Sequence, residues 1–130
     1  MNPGGLNDMV FSFSGDQPIF RQLTVRIANE IVSGALKEGD QIPSTNEFAK
    51  QLQINPATAA KGINLLVDQK ILYKKRGIGM FVAEGARAKL IQERQESFKQ
   101  NYIIPLLDEA TQIDLNDEHI KQLIDNERSR

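Results

Sequence analysis

His119 is the single histidine of this 130-residue chain, and the chain has no cysteine. That inventory leaves little for covalent chemistry. There is no thiol nucleophile, no Cys-based zinc site, no disulfide framework and no serine–histidine spacing that resembles a catalytic triad. Asp114, Asp117 and Glu118 lie near His119, but they suit the positive end of a helix dipole better than a metal, so no metal site is expected. Arg76-Gly77-Ile78-Gly79 is not a phosphate loop, because no GxxxxGK[ST] sequence exists. No cofactor is expected, and the enzyme reading is rejected. What remains is the non-covalent chemistry of charge. Pro18–Val82 carries nine bases against five acids, a net +4, between a leading stretch of −2 and a closing one of −3. A basic segment followed by an acidic one suggests that the first meets a polyanion and the second does not.

The elements that must position these charges follow from periodicity. Residues 1–15 read as a lead-in, with an extended piece over Met9–Phe13. Proline suits a first helical turn, and from Pro18 the apolar positions Phe20, Leu23, Ile27 and Ile31 recur at three and four, widened by Ile19 and Val32. Gly34 stops that helix, and Leu36–Pro43 reads as a turn. Ser44-Thr45-Asn46-Glu47 is a capping box opening a second, short helix over Phe48, Ala49 and Leu52. Asn55-Pro56 opens a third helix, with Ala59, Gly62, Ile63, Leu66 and Val67 inward and Ala57, Thr58, Lys61 and Asn64 on the opposite face. Two short strands, Ile71–Lys75 and Met80–Val82, flank a glycine hairpin. Helix, helix, tight turn, helix and hairpin make a helix-turn-helix with a wing. Beyond Glu84 the pattern turns helical; Pro105 should kink or restart the run. A last helix spans Asp117–Asn126, capped by Asn116.

The residues from Pro18 to Val82 resemble the DNA-binding domain of the GntR family of bacterial transcriptional regulators. The resemblance is carried by Pro18-Ile19-Phe20-x-Gln22-Leu23, Ile31-x-Ser33-Gly34-x-Leu36-x-x-Gly39-Asp40, Ile42-Pro43-Ser44, Phe48-Ala49, Leu52 and Arg76-Gly77-x-Gly79-x-Phe81-Val82. Asn55-Pro56-x-Thr58-x-x-Lys61 is similar to the short YtrA-type branch in particular. The sequence departs from the family at Asn46, where an arginine is usual. It also departs at Ala59, at Ala60 and near Lys70, where a glycine commonly ends the third helix. The arginine change removes a guanidinium fork from the expected interface.

The resemblance implies that the third helix enters a major groove, roughly 12 Å wide. Asn55 and the first-turn amides would meet a phosphate. Ala57 and Thr58 are small enough for close approach, a thymine methyl could pack on Ala57, and Lys61 and Asn64 could donate to bases or phosphates. Ser44, Thr45 and Asn46 would anchor the phosphate backbone. In the wing, Lys75 and Arg76 bring charge, while Gly77 and Gly79 let the tip enter a minor groove. Lys74, Lys75 and Arg76 could be just a solvated hairpin edge, but their position after the third helix favours the binding reading. Ser44 and Glu47 read first as caps.

Ala83–Arg130 is too short for a separate effector domain with a pocket, so a small-molecule effector is not expected to have one. In the resembling branch this part is a helical dimerisation segment. Ile91, Phe98, Tyr102, Ile103, Leu106, Leu107 and Ala110 are too many apolar positions for a solvated tail, and a partner subunit would cover them. The alternative is a stripe that folds back on the winged domain. No run approaches the roughly 18 apolar residues of a membrane span, and no signal peptide is evident; a cytoplasmic setting fits. The fold expected is mainly α with a small β-hairpin: a lead-in over 1–15, a winged helix-turn-helix over 16–83 and a helical dimerisation segment over 84–130. The function expected is a homodimeric, sequence-specific DNA-binding regulator, more readily a repressor, on a palindromic operator of double-stranded DNA. A winged-helix protein–protein module is the other reading.

Overall fold

The computed structural model describes residues 15–130; the lead-in and the Met9–Phe13 piece, apart from Gly15, lie outside the described residues. The chain divides into two compact units between Ile91 and Gln92.

In the first unit, α1 (Ile19–Ser33) buries Leu23, Ile27, Ala28 and Ile31, while Phe20 is half-buried and Ile19 exposed. Gly34 ends it at φ +89°, a left-handed position that costs glycine nothing. Strand β1 (Gln41–Ile42) follows. The turn expected over Leu36–Pro43 thus contains a strand; its two residues are too short to show alternation and owe their state to a partner.

α2 (Thr45–Leu52) opens on the expected capping box: the Glu47 amide donates to Ser44 Oγ at 3.1 Å, and the Ser44 amide donates to Glu47 Oε1 at 2.9 Å. The Ser44 amide, and after it the Ser44 hydroxyl, hold the Glu47 carboxyl below its usual range. The helix stops at Gln53, whose φ of +55° turns the chain into α3 (Pro56–Asp68). There Asn55 caps, Pro56 fills the first turn, and Ala59, Gly62, Ile63 and Leu66 are buried.

Lys70 takes a left-handed φ of +63° just past the end of α3. The Lys70 amide donates to the Val67 carbonyl and the Ile71 amide to that of Leu66, both at 2.9 Å, which is a Schellman ending with Ile71 and Leu66 buried. Strands β2 (Leu72–Lys75) and β3 (Gly79–Val82) form the hairpin. β1 pairs antiparallel with β3, so the expected hairpin is one side of a three-stranded sheet of order β1-β3-β2. One core joins α1, α2, α3 and the sheet around fully buried Phe48, Leu23, Ile27, Ile63 and Val82.

α4 (Ala86–Phe98) adds Ala86 and Leu90 to that same core. The compact unit therefore runs past the expected division at residue 83.

In the second unit a π-helical turn over Lys99–Ile103 leads into α5 (Ile104–Gln112), with Pro105 in its first turn. The ring of Pro105 would collide with the carbonyl four residues back, that of Asn101. The wider turn, in which the Ile104 amide donates to Lys99, absorbs that conflict. Asp114 reverses the chain at φ +59°, and α6 (Asp117–Arg128) begins at Asn116. Asn116 Oδ1 accepts from the His119 amide at 2.9 Å, and His119 Nδ1 accepts from the Asn116 amide at 3.3 Å. The lone histidine is a capping partner. Among the described residues no helix is long and apolar enough to cross a membrane.

Candidate nucleic-acid interface

The residues expected at the site fall into two sets in the first unit. The first is the polar side of α3 and the start of α2. Burial alternates along α3: Ala59, Gly62, Ile63 and Leu66 face the core, Thr58 is half-buried, and Asn55, Ala57, Lys61 and Asn64 are exposed. Ser44 and Asn46 are exposed at the start of α2, with Thr45 half-buried. The helix is fixed by close backbone packing on α1. A Cβ built on Gly62 would lie 2.6 Å from the Phe20 carbonyl oxygen, and Thr24 Oγ1 donates to the Gly62 carbonyl at 2.7 Å. Sequence spacing placed Gly62 inward; the missing Cβ is what lets the two helices touch.

Two local details alter the expected donors of α3. Asn55 Oδ1 accepts from the Ala57 amide at 2.7 Å, and Pro56 has no N–H. The first turn therefore offers fewer free amides to an anion than the motif implied. Lys61 does not project alone: its Nζ sits 4.1 Å from the centroid of the Phe20 ring, and Arg21 Cζ lies 5.3 Å from the same ring. Periodicity counted Phe20 as a core residue. Half-buried at the start of α1, it is also a platform for two cations, an attraction worth about 0.5–1 kcal/mol at exposed sites. Neither cation forms an ion pair with an acid among the described residues, so both charges remain available to a polyanion.

The second set is the wing. Lys74, Lys75, Arg76 and Gly77 are exposed, and Ile78, not among the expected site residues, is 64% exposed at the tip. The Ile78 amide donates to the Lys75 carbonyl at 2.9 Å, with Gly77 at φ +76° completing the turn. On the strands Tyr73 pairs with Phe81, their rings stacked at 5.7 Å. Lys75 Nζ lies 4.9 Å from the Phe81 ring and 5.9 Å from that of Tyr73. The wing thus carries its charge on an aromatic base. Cross-strand register, which the sequence does not specify, creates that base.

In the second unit the expected dimerisation residues separate. Phe98, Tyr102, Ile103, Leu106 and Leu107 are exposed, with Phe98 and Tyr102 rings 5.4 Å apart. Ala110 is only 6% exposed and Leu115 donates its amide to the Ala110 carbonyl. Ala110 therefore offers little surface of its own beside the exposed residues of the expected stripe. Ile91 is half-buried and closes the first unit. Ile104, Ile113, Leu123 and Ile124 add exposed apolar surface that the expected stripe omitted. A groove of about 530 Å³ runs between α5 and α6, lined by Leu106, Ala110, Ile113, Ile120, Leu123 and Ile124 among others.

Comparison with known proteins bears on the first unit most directly. The model of the bacterial regulatory proteins of the gntR family matches residues 20–82. The HTH-type transcriptional repressor YtrA of Bacillus subtilis is 29% identical over 83 residues, 64% of this chain and 64% of its own length, so the match spans less than two thirds of that repressor. A regulator of the GntR family from Bacteroides thetaiotaomicron superposes with a TM-score of 0.70 at 30% identity, over 86% of this chain and 99% of that one. The DNA-binding domain of AraR, solved in complex with operator ORX1, superposes with a TM-score of 0.52 at 32% identity, over 55% of this chain and 93% of that one.

Proposed function

We propose that the chain, which belongs to the gntR family of bacterial regulatory proteins in its short YtrA-type branch, is a homodimeric, sequence-specific DNA-binding repressor. The first unit, through Ile91, is the DNA-binding domain, and the second, from Gln92, carries the dimerisation segment. The start of α3 lies in the major groove, with Ala57, Thr58, Lys61 and Asn64 toward base edges. Ser44, Thr45, Asn46 and Asn55 meet the phosphate backbone. Lys75, Arg76, Gly77 and Gly79 bring the wing into the adjacent minor groove.

The observation that carries this reading is the segregation along α3. Its apolar side is buried in the core while Lys61 and Asn64 stay exposed, beside a wing whose cations are also exposed. A helix held this way presents one rigid polar edge, which is what groove recognition requires. The operator complex of the similar AraR domain supports the same partner.

The exposed Phe98, Tyr102, Leu106 and Leu107 support a twofold dimer. Such a dimer sets two α3 helices about 34–36 Å apart, on half-sites one helical turn apart in a palindrome. Repression needs only occupancy of DNA in competition with polymerase, whereas activation needs a further contact surface. No separate effector domain is required by this mechanism.

The test is charge reversal. Lys61→Glu combined with Arg76→Glu should abolish binding to duplex DNA, while Lys121→Glu on α6 leaves it intact. Duplex binding unchanged by the double substitution would instead favour a protein–protein module, a reading to which the absence of an arginine at Asn46 lends some weight.

A further inference from the structure

The wing tip is held by a residue outside the hairpin. Gln41, on β1, pairs with Phe81 of β3, and its Nε2 donates to the Ile78 carbonyl at 3.1 Å. Both backbone polar groups of Ile78 are therefore fastened, its N–H by the Lys75 carbonyl inside the turn and its carbonyl by Gln41 from the neighbouring strand. A second observation concerns Gly79. A Cβ there would run into the Gln41 amide nitrogen, with Gln41 Cδ 3.4 Å and Cγ 3.7 Å away. The side chain of Gln41 lies across the space that a side chain at position 79 would fill. Gly79 also takes a φ of +149°, so the glycine serves both the turn and the passage of this amide.

We infer that Gln41 is a positioning residue for the wing, setting how Lys75 and Arg76 are presented to DNA without touching DNA itself. This rests on the proposed function. A two-stranded hairpin with an exposed apex is marginal alone. One hydrogen bond from β1 to the apex removes the freedom that binding would otherwise have to remove. Gln41 is exposed and stands outside the hydrophobic core, so its replacement should act on the wing and leave the fold in place.

The experiment compares the full chain with Gln41→Met, which keeps the length of the side chain and removes the donor. The probe is a fixed duplex recovered from a random pool by the wild-type chain. Affinity should fall about three- to tenfold, the range for removal of one hydrogen bond, with the melting temperature nearly unchanged. The slope of log K against log salt should become shallower, by about 0.9 for each phosphate no longer neutralised. In a Lys75→Ala/Arg76→Ala background, Gln41→Met should have no further effect, because the charges it positions are gone. Equal affinity of Gln41→Met and wild type, an unchanged salt slope, or an equal fall in affinity in the wing-neutral background would overturn the inference while the function stands. A wild-type chain that recovers no duplex would overturn the function itself, and the inference with it.

Discussion

Replacing Gly62 by alanine sets two physical effects against each other. Alanine in the middle of a helix is favoured over glycine by about 1 kcal/mol, so on propensity alone α3 should gain. The new Cβ, however, would sit 2.6 Å from the Phe20 carbonyl oxygen, where ordinary contact begins at 3.4 Å, and 3.3 Å from Thr24 Oγ1. The obstacle is backbone, so α1 and α3 must separate by up to about 0.8 Å, the difference between those two distances. Overpacking of this kind costs about 1–3 kcal/mol. The separation also stretches the 2.7 Å bond from Thr24 Oγ1 to the Gly62 carbonyl, worth about 1 kcal/mol. The net expectation is a loss of about 2 kcal/mol. For a unit of this size that lowers the melting temperature by roughly 8–16 °C. Urea unfolding should show a lower midpoint with an unchanged slope. A Gly62→Ala chain as stable as wild type, or more stable, would refute the claim that backbone contact between α1 and α3 fixes α3 in place.

Lys70→Gly should stabilise the chain by about 0.5–1 kcal/mol, since a left-handed residue with a Cβ costs about 1–2 kcal/mol and glycine returns part of that as chain entropy; thermal melting checks it, and a loss of stability would contradict the Schellman ending. Glu47 ionises more readily in the folded chain than in the unfolded one, so its stabilising effect is fully present above the usual value of 4.5 and disappears as pH falls through the lowered folded value. Wild type should therefore exceed Glu47→Gln in urea midpoint at neutral pH and converge with it in acid; a gap that persists at low pH would show that the capping carboxylate is not the cause. Tyr102→Glu with Leu106→Glu should yield a monomer in sedimentation velocity and weaken duplex binding at least tenfold, because one half-site is then bound without the other; a dimer that survives both charges would place the interface elsewhere on the second unit.

Much of the first unit was legible because its signals are local. Ser44 and Glu47, Asn55 and Pro56, and Gly34 each act within one helical turn, and α2, α3 and the end of α1 fall where those residues place them. The departure near Lys70 was visible as a missing glycine, and the structure shows its consequence as a left-handed lysine. What escaped depends on partners distant in sequence. Gln41 and Ile42 become a strand only against Phe81 and Met80. Lys61 meets Phe20 only because Gly62 lets α1 approach. In the second unit, Pro105 signalled a disturbance but not its form, since a π-helical turn has no spacing code of its own. Ala110 fell on the apolar stripe by periodicity, yet it is only 6% exposed where its neighbours Leu106 and Leu107 are 42% and 44% exposed.

Selection of bound fragments from a random duplex pool tests the groove-reading α3 helix and its twofold pairing together. The sequences recovered should contain two inverted half-sites about 10 base pairs apart, centre to centre, and binding should weaken steeply as salt rises. A pool that emerges unenriched, or a single unrepeated half-site bound equally well by wild type and by Lys61→Glu, would contradict it.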